Sequence, residues 1–382
     1  MPGRPPIRPG HPYLAGSPLL IAHRGGAGLA PENTLAAFRN AVDRWGADML
    51  EMDVRATRDG VVAVIHDETV DRTCDGTGRV QDLTWEELRG MDAGYRFRDP
   101  EGRHSFRGRG VRVPRFEEIL EAFPNTRLNV ETKDGTSAPG LVDLILSHGA
   151  QDRVLVAAEW EKHRASVRDY PGPWGASRRH ITVFVVLLRT PFGFLYTPAC
   201  DALQVPETYR GLRLLTPRFI REAHRRNLPL HVWTVDDPAD MNRLLDWGVD
   251  GIQTDRPDLL ASILVRRFRR PPPPGMTKAG RGDGDGGGDC ASCGDYGSHR
   301  DAEREGRGER QKRAGEGTGG AGGTEGTGAT GGTGGTEGTG ATGATGGTGG
   351  TGGKGGTGGT GGRGGKEGTG GTEGTGRTGR TE

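Results

Sequence analysis

The chain has 382 residues, 70 of them glycine, and a formal net charge of +1. Of those glycines, 46 follow Arg270, so a folded part of roughly 270 residues, long enough for one large barrel, precedes a glycine-rich tail. A charge balance this close to zero excludes a general pull toward nucleic acid or an anionic membrane, and four cysteines are too few and too dispersed for a disulfide framework.

The opening MPGRPPIRPGHPYLAGSPLL has no long apolar run, so no cleavable signal peptide is expected. No stretch approaches the roughly 18 apolar residues of a membrane-spanning helix. The expected location is the cytoplasm, with peripheral membrane contact left open. Residues 1–18 read as an N-terminal extension, after which short apolar runs alternate with helical patterns. The expected strands are 19–24, 49–57, 127–133, 153–159, 173–177, 202–205, 230–235 and 251–254. The run 181–188 (ITVFVVLL) is an alternative fifth strand, or a buried helix. The first connecting helix carries Leu35, Phe38, Val42 and Trp45 at helical spacing, with Asn33 or Thr34 as its cap. Asp237 and Gly248 bracket another. Eight strand–helix units imply a parallel sheet closed into a TIM (β/α)8 barrel over 19–268. The connection after the second strand, about 60–115, is too long for one helix. It reads as a small inserted subdomain, with Thr84 and Glu87 set for a capping box. Residues 269–382, rich in Gly and Thr, cannot recover the entropy of ordering and are expected to be disordered. Cys290 and Cys293 there have metal or redox spacing but no second pair.

In a barrel, chemistry sits where strands end. His23 and Arg24 close the first strand: an imidazole moves protons near neutral pH, and a guanidinium holds two phosphate oxygens at once. The bland alternative is a satisfied histidine beside a surface arginine. On the second strand Glu51 and Asp53 are two apart and share a face, while Leu50, Met52 and Val54 point the other way. Two carboxylates in a barrel interior are costly unless a cation or donors compensate them. Mg²⁺ or Ca²⁺ would do so, and a buried salt bridge to Arg24 or Lys133 is the alternative. Glu131 and Lys133 share a face of the third strand with Asn129, as third carboxylate ligand and phosphate-facing cation. His66 closes the inserted strand and offers a second acid or base, unless it is a turn histidine beside a capping Asp67. Trp233 shares a face with His231 and Val235 and supplies a flat apolar wall, or simply fills the barrel. Asp255 is expected to bond the backbone around His23 and Arg24.

Together the segments HRGGAGLAPENT, LEMDVRAT, VIHDETVDRTCDGTG, LNVETK, VWTVDD and GIQTDRP resemble the glycerophosphodiester phosphodiesterase family, in that family's order, over roughly residues 19–260. The resemblance implies a barrel with an inserted subdomain, a divalent cation, and hydrolysis of glycerophosphodiesters to sn-glycerol 3-phosphate and an alcohol. It matches His23 and His66 to the catalytic histidines, Glu51, Asp53 and Glu131 to the metal ligands, and Arg24 and Lys133 to phosphate-contacting positions. Ala158-Glu159-Trp160 departs from the serine-rich turn of many relatives, and residues 176–200 follow no clear pattern. A lysophospholipase D-like activity on lysophospholipids is an alternative, supported by the HRGGAG form and the apolar residues 192–196. A non-catalytic binding barrel is an alternative of another class.

Overall fold

A computed structural model describes residues 11–278; the expected disorder of the tail and the pair Cys290 and Cys293 lie outside the described residues. Seven strands run in parallel: β1 (Leu19–Ala22), β2 (Met49–Ala56), β4 (Arg127–Thr132), β5 (Val154–Ala157), β6 (Leu203–Pro206), β9 (Leu230–Trp233) and β10 (Gly251–Thr254), in the order β5-β4-β2-β1-β10-β9-β6. Strand β3 (Val62–Val64) pairs antiparallel to β2, and a short hairpin joins β7 (Thr208–Tyr209) to β8 (Leu212–Arg213). The eighth stave is only two residues long. Trp174 pairs in parallel with Val156 of β5, and Gly175 with Ala202 beside β6, so the two edges meet and the barrel closes. Residues 173–177 therefore hold the fifth position, while 181–188 fall in helix α5 (Arg178–Leu188), where Val183 and Val186 are exposed and Phe184 is buried. Pro171 and Pro173 bracket Gly172 just before the stave and deny it ladder donors, which explains its brevity.

The remaining helices are α1 (Leu35–Arg39), α2 (Trp85–Arg89), α3 (Phe116–Ala122), α4 (Ser137–Ser147), α6 (Pro217–His224), α7 (Pro238–Trp247), α8 (Pro257–Phe268) and α9 (Pro274–Lys278). Thr34 caps α1, accepting from Ala37 N, and α1 continues into a π-helical turn over Asn40–Arg44. Thr84 and Glu87 complete the capping box of α2, and Asp237 caps α7, which Gly248 ends in the left-handed region. Alternation along the strands splits the core in two. Leu50, Met52, Val54, Leu128 and Val130 face outward against Phe38, Phe116 and Ile119 of the helical layer. The insertion has a small core of its own, in which Ala63, Ile65, Val70, Val80 and Leu88 pack with Ala36 of α1. Among the described residues no helix is long and apolar enough to cross a membrane.

Packing continues on either side of the 19–268 span. Tyr13, 1% exposed, plugs the end where the strands begin, packing with Leu19, Ile21, Met49 and Leu155. Its hydroxyl lies 3.2 Å from Met49 Sδ, and Arg127 donates to its carbonyl at 3.1 Å. At the other terminus, Arg270 donates to Asp48 at 2.6 Å, and buried Gly275 packs on Arg44 and Trp45. Sequence patterning placed the edges at strand and proline boundaries; burial places Tyr13 and Gly275 inside them. Replacing a buried aromatic with alanine costs about 3–5 kcal/mol. Tyr13→Ala is therefore expected to lower unfolding stability by about 3 kcal/mol in urea melts, and a loss under about 0.5 kcal/mol would make residues 11–18 a mere appendage.

Candidate active site

Strand β1 ends at Ala22, and His23–Gly25 form one tight turn instead of extending it. Arg24 adopts φ 49°, in the left-handed region, and this turns its backbone N–H onto Glu51 Oε2 at 2.8 Å. Gly25 is required beside it, at φ 84°, where a Cβ would lie 2.8 Å from both Ala37 Cβ and Phe38 Cδ1. The turn aims His23 and Arg24 into a cavity of about 560 Å³ at the mouth of the barrel. Glu51 and Asp53 of β2, Glu131 of β4, and Lys133, His66 and Trp233 line the same cavity, so all eight sequence-predicted site residues meet there.

The two imidazoles are held alike. His23 Nδ1 lies 2.8 Å from Asp255 Oδ1, and His66 Nδ1 lies 2.6 Å from Asp67 Oδ1. In each case the aspartate fixes Nδ1 and leaves Nε2 for the cavity. Asp255 thus bonds the His23 ring rather than only the nearby backbone, which its carbonyl also reaches by accepting from Gly28 N at 3.0 Å. Asp67 is tied to Arg72, whose guanidinium forks onto Glu32 with two contacts of 2.7 Å, and Glu32 accepts from Arg24 Nη1 at 3.0 Å. That relay was missed in the sequence. Its residues stand in the PENT and DRT segments, but only folding brings Glu32 beside Arg72. Of the two candidate caps Thr34 serves α1, and the Asn33 amide instead clasps Asp53, donating to Oδ2 at 3.1 Å and accepting from its N–H at 3.3 Å.

Charge is crowded here. Burial, reinforced by Asp53, pushes the Glu51 carboxyl up to about 7. Burial would also raise Asp53, but Lys133, His66 and Arg24 hold it down at about 2. Lys133 Nζ bridges Asp53 at 2.9 Å and Glu131 at 2.8 Å, and its own affinity for a proton rises. Burial works against the His23 charge, yet Glu51 at 4.0 Å and Asp255 push the imidazole up to about 8. Burial prevails at His66, which stays below the ordinary histidine value despite Asp53.

Glu51 is a buried carboxylate short of positive charge, beside two more that share a single ammonium. Hard oxygen donors so placed fit a divalent cation of the Mg²⁺ or Ca²⁺ type. Among the described residues, the acidic and histidine group drawn closest together is instead Glu117, Glu121 and His148, on the outer helices α3 and α4. It is largely exposed, and exposed acids commonly lie so near one another without an ion. The three site carboxylates are not drawn together to that degree, since Lys133 stands between two of them.

The cation has a signature in pH. His23, with an unfolded value of 6.5, contributes stability that is complete below about pH 6.5 and is lost as pH rises through 8. Glu51 also holds its proton more tightly when folded, so its ionisation costs stability between its ordinary 4.5 and 7. In EDTA these two groups are thus expected to cost stability from pH 5 to pH 8, against an opposite contribution from His66 and buried His231, whose lowered values favour the fold as pH rises. Added Mg²⁺ or Ca²⁺ should raise the melting temperature more at pH 8 than at pH 5; an equal rise at both would place the cation elsewhere.

A family model for the glycerophosphoryl diester phosphodiesterase family matches residues 23–168 and 181–259, leaving the segment with the short eighth stave unmatched. The chain is 33% identical over 264 residues to a glycerophosphodiester phosphodiesterase of Caldanaerobacter subterraneus, covering 64% of this chain and 97% of that one. It is 31% identical to a probable glycerophosphodiester phosphodiesterase 2 of Mycobacterium tuberculosis, covering 66% and 92%. A crystal structure of glycerophosphodiester phosphodiesterase from Agrobacterium tumefaciens is 28% identical, with a TM-score of 0.52, covering 64% of this chain and 99% of the other.

Proposed function

This chain belongs to the glycerophosphoryl diester phosphodiesterase family, and on that premise we propose that it hydrolyses a glycerophosphodiester to sn-glycerol 3-phosphate and an alcohol, with His23 and His66 as acid and base. One observation carries this reading: two imidazoles, each tied at Nδ1 to its own aspartate, face one cavity that also holds Arg24, Lys133 and three carboxylates. One imidazole takes a proton from the attacking water as the new P–O bond forms. The other gives a proton to the departing alkoxide as the old bond breaks. Arg24 and Lys133 offset charge on the phosphoryl oxygens. Glu51, Asp53 and Glu131 would hold Mg²⁺ or Ca²⁺, which when bound polarises a phosphoryl oxygen. A binding barrel without chemistry has no need of two histidines so fixed. Cys74 and Cys200 are free and buried, which suits a reducing compartment, and we keep the cytoplasm as the location.

A second reading, lysophospholipase D-like hydrolysis of lysophospholipids, rests on the far wall of the same cavity. Ile181, Val185 and Val186 of α5, Leu212 and Leu214 at the hairpin, and Trp233 line it. Leu212 is 66% exposed and Val186 54%, more apolar surface than a small head group requires.

His23→Ala and His66→Ala should each lower kcat by about 10²- to 10⁴-fold on glycerophosphocholine while the fold is kept, as judged by circular dichroism. Activity that survives both EDTA and these substitutions would end the mechanism. A chain ending after Lys278 should keep full activity. Its kcat/KM on glycerophosphocholine is expected to exceed that on lysophosphatidylcholine, and the reverse order would favour the second reading.

A further inference from the structure

Barrel interiors are usually filled by branched apolar side chains. Here the interior among the carboxylates is polar: Asn129 on β4, Gln204 on β6 and Gln253 on β10 all line the cavity and are 3%, 9% and 3% exposed. Asn129 Oδ1 and Gln204 Nε2 have no hydrogen-bond partner among the protein's own groups. Buried amide atoms left unmatched are costly and rare in folded proteins. One of the pair is an acceptor and the other a donor, the two roles a hydroxyl answers at once.

The position is built rather than accidental. A Cβ on Gly175 would lie 2.8 Å from Gln204 Oε1 and 3.0 Å from Ala157 Cβ, so only a glycine in the eighth stave leaves room for the amide. Asn129 is the register partner of Glu51. It also precedes Glu131 by two residues on the same strand face, about 7 Å deeper in the barrel. Arg24, Lys133, Asn129 and Gln204 all line the one cavity, so a phosphate ester held by the two cations has its glycerol in the same space.

Resting on the diesterase reading, we propose that Asn129 and Gln204 form the floor that selects glycerol: Asn129 Oδ1 accepts a hydrogen bond from a glycerol hydroxyl and Gln204 Nε2 donates one. A site made to hydrogen-bond a hydroxyl rejects the analogue that lacks it, because its own buried amides then stay unmatched. The floor thereby distinguishes a glycerol ester from a simple alkyl ester of the same length.

Calorimetric binding of sn-glycerol 3-phosphate and of propyl phosphate, in saturating Mg²⁺, tests the assignment on the full chain. The wild type should prefer the glycerol compound by roughly 10- to 100-fold. Asn129→Leu and Gln204→Leu should each erase most of that preference by weakening glycerol 3-phosphate alone, with propyl phosphate and Mg²⁺ affinity unchanged. Their melting temperature should hold or rise, since hydrocarbon replaces an unmatched amide; a purely structural pair would lower it. Asn129→Ala and Gln204→Met serve where a leucine variant does not fold. Equal binding of the two ligands by the wild type, a preference intact in folded variants (as when the amides enclose only water), or a fall in Mg²⁺ affinity overturns the proposal. Hydrolysis of glycerophosphocholine by the wild type judges the underlying reading separately: an inactive protein that keeps the preference would sink that reading and leave the floor standing.

Discussion

Glu51 and Asp53 stand two residues apart on one strand, both nearly excluded from solvent. Like charges on one strand face inside a protein repel one another, and neither is well solvated where it sits. Much of the barrel mouth is arranged around that cost. Arg24 takes up a left-handed backbone to bring an N–H to Glu51, Asn33 clasps Asp53 with both ends of its amide, and Lys133 bridges Asp53 to Glu131. Compensation is uneven: Asp53 is held ionised, while Glu51 competes for a proton near neutrality. On the proposed function, a site left in that state would hold a cation, and Arg24 and Lys133 would meet the remaining charge of the phosphate.

The same cost explains why the inserted subdomain is packed as firmly as it is. His66 must stand across the cavity from His23, yet it ends a strand that belongs to the insertion. Its aspartate is tied through Arg72 and Glu32 to Arg24, so His66 and Arg24 share one chain of ion pairs, while Asp255 holds His23 separately. Beneath the chain, Ile65, Val70 and Leu88 pack with Ala36 from the helix that follows the Arg24 turn. Apolar packing sets the distance between the two imidazoles, and the ion pairs set their orientation.

Much of this was legible in the residues alone. Alternation put Glu51 and Asp53 on one face, and strand ends placed His23 and His66, because both inferences depend only on local geometry. What was hidden depends on contacts far apart in sequence. Asp255 reaches a histidine 232 positions away, and Asn33 serves a carboxylate rather than a helix end. Tyr13 looked like part of an extension because one aromatic among prolines has no periodicity to reveal its burial. The stave expected at 173–177 does form but pairs only through Trp174 and Gly175, and the alternative run 181–188 became a helix with its valines partly in solvent.

The cavity therefore has two halves of different character. The half built on β1, β2 and β4 is rigid: each charged group has at least one fixed partner, and its residues are readable as motifs. The half built on α5 and the β7–β8 hairpin is apolar and partly exposed, and it adjoins the internal stretch, 169–180, that the family model leaves unmatched. Reaction chemistry constrains the first half tightly, since a misplaced proton donor loses orders of magnitude in rate. Substrate shape constrains the second only through the group that leans on it. Between them lies the Gln204 floor, whose space depends on Gly175 in that same unmatched segment. The feature that would select glycerol thus depends on a segment where the sequence carries least pattern, and the bond that breaks is better determined than the molecule that contains it.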